Sequence, residues 1–189
     1  NPTNIYAFEP NHQLYKRLKR IFPEVNVIPF ALSDEDGETT FKVPVINGKK
    51  VHTRGTLEIG MKEKQEQKAI LETVKTIKLD KWTELQKPDK ISFIKMDVEG
   101  SEIRTVKGAE KTIRKYRPVM MIEIEQRHHH NPVWNFIEEI ENFGYRAHYL
   151  SRETLQPEIL TRDFFETQNA ENVKNYEQYI NNIIFIPKG

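Results

Sequence analysis

The chain has 189 residues, a formal net charge of +1 and no cysteine, with 37% hydrophobic and 30% charged residues. The balanced charge argues against a general nucleic-acid binder, which carries a basic stripe or a high pI, and the lack of cysteine excludes a disulfide scaffold and a thiol nucleophile. No apolar run approaches the roughly 20 residues that span a bilayer, and the first residues do not form a signal peptide. The sequence predicts a single cytoplasmic domain over residues 1–189 that binds neither nucleic acid nor membrane.

The first predicted element is a strand from Asn4 to Phe8, whose apolar residues run directly into the carboxylate of Glu9. An amphipathic helix follows, starting at Pro10 or Asn11, because leucine and isoleucine recur at helical spacing between basic residues. A second proline, twelve to thirteen residues further on, closes this helix.

The sequence pattern in the middle of the chain predicts strands and one long loop. The apolar run 25–32 is bounded by turn residues and is expected to form a hairpin with a strand at 39–43, across the turn at 33–37. The polar residues 47–67 predict a long loop with one helical piece. The alternation at 74–79 is typical of a half-buried strand.

The last part of the chain alternates strands with helices. Strands are predicted at 91–98, 119–124, 145–150 and 183–186, and helices at 100–106, up to Tyr116, and at 133–143. Near-continuous apolar strands alternating with helices are typical of an α/β fold with a parallel sheet covered on both faces. The last two strands show no helix between them, so we expect an antiparallel edge pair on a mostly parallel sheet.

Carboxylates end three of the predicted strands: Glu9, then Asp97 with Glu99, then Glu123 with Glu125. In open α/β sheets, ligands bind beyond the carboxyl ends of the strands. A single strand-end acid is usually only solvated, whereas three at one rim predict a binding site. An acid at the end of the second strand of a nucleotide-binding half accepts hydrogen bonds from ribose hydroxyls, and Glu9 in that place would hold a ribose.

The turn KMDVEGSE after the strand at 91–98 has two interpretations. As an ordinary strand-to-helix turn, it uses Ser101 as the helix cap and Glu102 to favour the helix dipole. That interpretation explains Asp97 less well, because a carboxylate just inside a buried strand end is expensive to ionise without partners. In the second interpretation, Gly100 lets the backbone turn tightly and approach a ligand.

Several segments in order resemble the FkbM-type family of S-adenosylmethionine-dependent methyltransferases. They are YAFEPN, ALSDEDGETTF, TIKLDKW, ISFIKMDVEGSEIRTVKGAE and RPVMMIEIE, followed by a final strand similar to IIFIP. The resemblance implies a Rossmann-like class I methyltransferase fold and S-adenosyl-L-methionine as the cofactor. It also implies O-methylation of a hydroxyl on a small molecule or glycan.

The resemblance implies roles for individual positions. The cofactor-binding residues so implied are Glu9, Pro10, Asn11, Ala31, Leu32, Ser33 and Asp97. Of these, Glu9 would bind the ribose, the segment 31–33 would lie against adenine, and Asp97 would face the methionine part and the transferred methyl. Glu99 and Glu123 would line the same mouth on the substrate side.

One part of the family pattern has no counterpart in these 189 residues, namely a glycine-rich loop of the type D-x-G-A-N-x-G and the strand before it. Gly37 lies in the predicted hairpin turn and Gly100 follows another strand, so neither replaces the loop. We therefore expect an N-terminally truncated methyltransferase that lacks one strand between those at 4–8 and 91–98.

Three consecutive histidines, His128, His129 and His130, follow the strand at 119–124. Consecutive side chains point in different directions, whereas zinc sites need spaced ligands, so we expect no metal. The loop falls where a class I methyltransferase admits its substrate, and a neutral imidazole there can accept a hydroxyl proton. These histidines are the first candidates for the general base, followed by Asp97 and Glu123, and a plain polar loop is the alternative.

Two other functions stay open. A non-catalytic binding or scaffold domain would keep the fold without the glycine loop. The presence of carboxylates at Glu9, Asp97 and Glu123 argues against an active site that has lost its function. A nicotinamide-dependent oxidoreductase would need its own G-x-G-x-x-G before the strand of Glu9 and leaves the later motifs unexplained.

Overall fold

The computed structural model describes residues 4–169 and 179–189. These described residues form six α-helices and eleven β-strands, which divide between two compact units. The first unit holds the described residues up to Gln86 together with Arg104–Ala109. The second holds Lys87–Ile103 and the described residues from Glu110 onward. Residues 170–178, within the predicted polar connection after residue 150, lie outside the described residues.

The first unit begins with two parallel strands joined by a helix. β1 (Tyr6–Phe8) pairs with β2 (Asn26–Ile28), and α1 (His12–Ile21) connects them. Asn11 caps the helix, because its side-chain oxygen accepts hydrogen bonds from two backbone N–H groups of the first turn at 3.0 and 3.1 Å. The strand and helix predicted here are confirmed, and β1 ends directly before Glu9.

A four-stranded sheet follows in the first unit. Its strands are β3 (Ala31–Leu32), β4 (Gly37–Ile46), β5 (Lys49–Lys50) and β6 (Glu66–Ile77), in the order β3-β6-β4-β5. β4 runs antiparallel to β6 along its whole length, while β3 is parallel to β6. The strand predicted at 74–79 is therefore the end of the much longer β6.

The predicted hairpin between 25–32 and 39–43 is wrong. Pro29 lacks an N–H donor and divides the apolar run into β2 and β3, which pair with β1 and β6 respectively. The ten residues of β4 pair instead with β6, which offers a longer partner than either short strand.

The region predicted as a long polar loop at 47–67 is mostly irregular, as expected, with β5 and a short 3-10 turn at His52–Arg54. It also contributes one apolar side chain to the buried core of the four-stranded sheet. That core comprises Ala31, Phe41, Val43, Leu57 and Val74.

Gly108 lies against the end of β3. A Cβ atom at this position would come within 1.9 Å of the carbonyl oxygen of Ser33, so only glycine permits the approach. The carbonyl of Gly108 accepts a hydrogen bond from the backbone N–H of Asp80 at 3.0 Å. Asp80 belongs to α2 (Leu79–Gln86), a helix that the sequence patterns did not predict.

The second unit is built on a five-stranded sheet. Its strands are β7 (Phe93–Met96), β8 (Val119–Glu123), β9 (Tyr145–Leu150), β10 (Pro157–Ile159) and β11 (Asn182–Pro187), in the order β10-β9-β11-β8-β7. β7 and β8 are parallel, and β11 runs antiparallel to both β8 and β9.

The predicted antiparallel pairing of β9 with β11 is confirmed, but its place in the sheet is different. β11 lies between β8 and β9, and β10 occupies the edge position. The connection expected to lack a helix contains α6 (Arg162–Gln168). Short elements in a polar segment show little periodicity, which is why the sequence did not indicate them.

The sheets are mixed, not mostly parallel as expected. Among the described residues, the pairs β1–β2, β3–β6 and β7–β8 are parallel and all other strand pairs are antiparallel. Within that part of the chain, β1 pairs with β2 alone and β7 with β8 alone. The missing strand expected from the family pattern stays a prediction.

Three further helices are α3 (Glu102–Lys107), α4 (Glu110–Tyr116) and α5 (Val133–Asn142). Residues of α3 belong to both units, whereas α4 and α5 belong to the second. α3 and α4 are separated at Gly108 as predicted, and α5 buries one face, including Trp134, in the core. No helix within residues 4–169 and 179–189 has the length and apolar character needed to cross a bilayer.

Candidate active site

Glu9, the acid at the end of β1, has one carboxylate oxygen engaged and one open. Its backbone N–H donates to the carbonyl of Ile28 at 3.0 Å, which extends the pairing of β1 with β2. Its Oε1 accepts the backbone N–H of Asn11 at 2.7 Å, while Oε2 has no hydrogen-bond partner among the described residues. Burial raises the pKa of Glu9, and the hydrogen bond from Asn11 works in the opposite direction.

The two residues after Glu9 have structural roles. Pro10 is half-buried, and Asn11 is fully buried as the cap of α1. The side-chain amide of Asn11 also donates to Glu72 at 3.3 Å. Both ends of the Asn11 side chain are therefore engaged within the first unit, and contact of Pro10 and Asn11 with a cofactor stays a prediction.

The segment Ala31, Leu32 and Ser33 is fixed by packing and hydrogen bonds. Ala31 lies in the core, and the carbonyl of Leu32 accepts the hydroxyl of Thr105 at 3.2 Å. The Ser33 hydroxyl donates to Asp34 at 3.1 Å. Ala31 and Ser33 are buried, and contact of this segment with adenine stays a prediction.

In the second unit, carboxylates gather beyond the parallel strands β7 and β8. They surround a small cleft of about 10 Å³, room for roughly one water. The lining residues are Asp97, Glu99, Glu102, Glu123, Glu125 and His128. Since the carboxyl ends of neighbouring parallel strands meet at one edge of a sheet, the structure brings together the predicted Asp97, Glu99, Glu123 and His128 and adds Glu102.

Asp97 lies one residue beyond the end of β7 and is exposed. It makes no hydrogen bond or ion pair with another described residue. The expectation that it sits inside a buried strand end is therefore wrong, and water alone can support its charge. The same exposure leaves its oxygens available to a ligand.

Glu123, the last residue of β8, is held by three neighbours. Its Oε1 accepts an amide N–H of Asn181 at 2.8 Å, and its Oε2 accepts one from Asn182 at 3.4 Å. The Lys95 ammonium lies 3.5 Å from Oε2. Both oxygens are thus engaged with donors, which fixes the orientation of the carboxylate.

Glu125 is anchored in the same way. The guanidinium of Arg127 donates at 2.7 Å, and the Tyr179 hydroxyl donates at 2.5 Å. Burial alone would raise the pKa of Glu125, but these donors outweigh it and hold the pKa below its usual value. Glu125 therefore carries its negative charge at neutral pH.

The turn between β7 and α3 has a strained backbone. Glu99 has a φ of +48° and Gly100 a φ of +98°, both in the left-handed region. A non-glycine residue there costs about 1–2 kcal/mol. Ser101 directly precedes α3, as the capping interpretation expects, but Glu102 does more than favour the dipole: it accepts the Gly100 N–H at 3.0 Å.

The three histidines have different surroundings. His128 is half-buried and lines the cleft, whereas His130 is exposed. The Nε2 of His129 lies 3.0 Å from the Oε2 of Glu102, and both side chains are almost fully buried. The side chain of Gln126 fixes this loop, since it donates to the carbonyls of His129 and Asn131 at 3.1 and 3.0 Å.

The sequence of residues 2–147 matches the family model of the methyltransferase FkbM domain. The chain belongs to the FkbM methyltransferase family. The family expected from the sequence motifs is thereby confirmed, and with it a methyltransferase-like fold of the α/β class.

Two relatives extend this finding. The hexuronic acid methyltransferase AglP of Haloferax volcanii is 31% identical over 59% of this chain and 43% of its own length. The crystal structure of methyltransferase FkbM from Methylobacillus flagellatus KT superposes with a TM-score of 0.52 at 13% identity, over 97% of this chain and 36% of that one. The second likeness concerns the fold alone, and the chain spans less than half the length of either relative.

One residue of the candidate site was missed as a site residue by the sequence reasoning. Glu102 was interpreted only as a first-turn acid, yet it is buried and faces both Gly100 and His129. The available signal was the spacing of three acids in DVEGSE, where a helix-start carboxylate follows a glycine turn. Burial of that carboxylate depends on the loop around residue 129, and no local pattern reveals it.

Proposed function

We propose that this chain is part of an S-adenosylmethionine-dependent O-methyltransferase that acts on a hydroxyl of a sugar or another small molecule, in the cytoplasm. The observation that carries the proposal is the cleft of carboxylates and histidine beyond β7 and β8, in a chain of the FkbM methyltransferase family. When bound, S-adenosylmethionine supplies a methyl group on a positively charged sulfur, and the acceptor oxygen bonds to that methyl carbon as the carbon–sulfur bond breaks.

The side chains present fit this cofactor. Ribose hydroxyls are donors, and the Oε2 of Glu9 is an acceptor without a partner among the described residues. The methionine part carries an ammonium group, and Asp97 is an exposed carboxylate that no described residue pairs. We assign Glu9 to the ribose, with Pro10 and Asn11 beside it, and Asp97 to the methionine part.

The remaining assignments follow the same family pattern. The segment Ala31, Leu32 and Ser33 would lie against the adenine. Glu99 and Glu123 would lie on the acceptor side. The protein must align the acceptor hydroxyl, where positioning contributes up to about 7–11 kcal/mol in well-oriented reactions, and must take the proton that the hydroxyl loses.

The name of the Haloferax volcanii relative, a hexuronic acid methyltransferase, supports a sugar as the acceptor class. The test uses the natural full-length protein, titrated with S-adenosylhomocysteine by calorimetry and then assayed by mass spectrometry with hexuronic acids and neutral sugars. We expect binding and a product that carries one additional methyl group. Absence of cofactor binding would overturn the proposal.

A non-catalytic binding or scaffold domain is the second candidate. The small volume of the acidic cleft favours it, since about 10 Å³ does not hold an acceptor without rearrangement. Cofactor binding without product on any acceptor, in the assay above, would support this candidate.

A further inference from the structure

We infer that Glu102 is a positioning residue that fixes the tautomer and orientation of His129, so that His129 acts as the general base toward the acceptor hydroxyl. The inference rests on the proposed methyl transfer and selects one base from three neighbouring histidines. It also gives Glu102 a role that the helix-dipole interpretation lacks.

The two oxygens of Glu102 serve different donors. Oε1 accepts the backbone N–H of Gly100 at 3.0 Å, and Oε2 lies 3.0 Å from the Nε2 of His129. The side chains are 2% exposed for Glu102 and 7% exposed for His129. A buried carboxylate requires hydrogen-bond donors on its oxygens, and here each oxygen has one.

This pairing determines where the imidazole proton lies. A carboxylate oxygen can only accept, so the Nε2 of His129 carries the hydrogen and a neutral ring keeps its lone pair on Nδ1. That Nδ1 has no hydrogen-bond partner among the described residues. It is therefore the ring atom available to a substrate proton.

His129 receives the proton that the acceptor hydroxyl loses. As the acceptor oxygen attacks the methyl carbon, its O–H bond breaks and the proton forms an N–H bond at Nδ1 of His129. The resulting imidazolium is stabilised by the Glu102 carboxylate at Nε2, as in other carboxylate–histidine pairs. The proton then passes from Nδ1 to solvent, which returns the neutral ring.

Hydrogen bonds of the backbone around His129 hold the imidazole ring next to Glu102. The carbonyl of His129 accepts the side-chain amide of Gln126 at 3.1 Å, and its N–H donates to the Gln126 carbonyl at 3.1 Å. On the other side, Glu102 is the first residue of α3. The contact between Glu102 and His129 thus joins the start of α3 to the loop that Gln126 fixes.

The substitution Glu102→Gln separates the electronic role from the packing role. The amide oxygen of glutamine would stay on the Gly100 N–H, which needs an acceptor, so the NH2 group would face Nε2 of His129. The ring would then have to accept at Nε2 and carry its hydrogen on Nδ1. The shape of residue 102 is unchanged, but the proposed base loses its lone pair.

The first readout is the His129 tautomer, measured in the natural full-length protein by two-bond ¹H–¹⁵N correlation, with the signal assigned through His129→Gln. We expect hydrogen on Nε2 in the wild type and on Nδ1 in E102Q. Hydrogen on Nδ1 in the wild type would overturn the inference without any variant, even if E102Q failed to fold.

The second readout is methyl transfer. We expect kcat of E102Q to fall about 100-fold or more, in the range of a lost general base, with S-adenosylhomocysteine affinity unchanged. A combined E102Q and His129→Gln variant should lose little further activity, because the two residues act as one unit. The control Glu110→Gln, at an exposed carboxylate paired with Arg114, should keep wild-type kcat.

The outcomes separate this inference from the proposed function. Methylation by the wild type with unchanged kcat in E102Q would overturn the role of Glu102 and leave the methyltransferase proposal standing. A full-length wild type that methylates no acceptor would overturn both.

Discussion

The open oxygen of Glu9 gives a direct test of cofactor recognition at the level of a single atom. Replacing Glu9 with glutamine keeps the side-chain shape but removes the charge. Hydrogen bonds to charged groups contribute about 1.5–3 kcal/mol, so we expect S-adenosylhomocysteine to bind about 10- to 100-fold more weakly to the full-length E9Q protein in calorimetry.

The matched control for Glu9 is Glu24→Gln, an exposed carboxylate nearby in the chain that makes no hydrogen bond or ion pair with other described residues. It should leave the affinity unchanged. An E9Q protein that binds as tightly as the wild type would remove Glu9 from the ribose role.

Glu125 makes the free energy of unfolding depend on pH in the acid range. Its donors, Arg127 and Tyr179, hold the folded-state pKa below the ordinary value of 4.5. A lowered folded pKa stabilises the fold fully above the unfolded pKa, and this stabilisation is lost as pH falls through the folded value. We therefore expect Glu125→Gln to lower the free energy of unfolding at neutral pH, with the difference from wild type shrinking below pH 4.5.

Urea unfolding at neutral pH and at the lowest pH where the protein stays folded measures this difference. Glu139→Gln on the exposed side of α5 is the control, since its carboxylate makes no hydrogen bond or ion pair with another described residue. A constant gap between E125Q and wild type across the acid range would contradict the assignment.

At the residue scale, the sequence was sufficient to place acids at strand ends. It was not sufficient to predict which of them are buried or which residues they contact. Glu9, Asp97 and Glu123 could be located because each follows an apolar run. The exposure of Asp97 and the burial of Glu102 could not be predicted, because the burial of a side chain depends on which distant segments pack over it. His129 is 27 residues from Glu102, and no local periodicity connects the two.

At the scale of elements, the contact between Gly108 and the end of β3 sets a strict limit on side-chain size. A Cβ atom would meet the Ser33 carbonyl oxygen at 1.9 Å and its carbon at 2.8 Å. We expect Gly108→Ala to lower the free energy of unfolding by about 1–3 kcal/mol, because backbone has to move apart. Urea denaturation of the purified variant measures the change.

Gly60→Ala is the matched control, since a Cβ atom there has nothing within 4 Å. The change in the free energy of unfolding for Gly60→Ala should be much smaller than the loss for Gly108→Ala. Removing a glycine lowers the entropy of the unfolded chain and by itself stabilises the fold. A loss of stability at Gly60 as large as that at Gly108 would therefore contradict the role of the close approach to Ser33.

Elements with a local signal were predictable, and their pairings were not. The helices α1 and α5 follow from apolar spacing, and the separation of α3 from α4 follows from Gly108. In contrast, the pairing of β4 with β6 depends on residues that are about 30 positions apart, beyond the reach of turn signals such as those at 33–37. The same distance effect hid the position of β11 inside its sheet.

At the scale of the whole molecule, one helix belongs to both compact units. The first two residues of α3, Glu102 and Ile103, fall in the second unit, and Arg104–Ala109 falls in the first. Because the backbone hydrogen bonds of a helix link successive turns, unfolding of either unit would disturb the other. We expect a single cooperative transition in calorimetry, with equal calorimetric and van't Hoff enthalpies.

Two separate calorimetric transitions would contradict this coupling and the single-domain organisation that we propose for the chain. Glu110→Gln, which removes one exposed ion pair with Arg114, provides a control, since it should leave the transition single.

The position of β11 also has a consequence for protein synthesis. The strand lies between β8 and β9, although the ribosome makes it after both. The interval from residue 123 to residue 182 takes on the order of 3 to 12 s at ordinary translation rates. During that time one edge of β8 has no partner strand in its own sheet, and its unpaired backbone groups can pair with another chain. A premature stop codon before Asn182 would therefore delete an interior strand of this sheet and leave two unpaired edges.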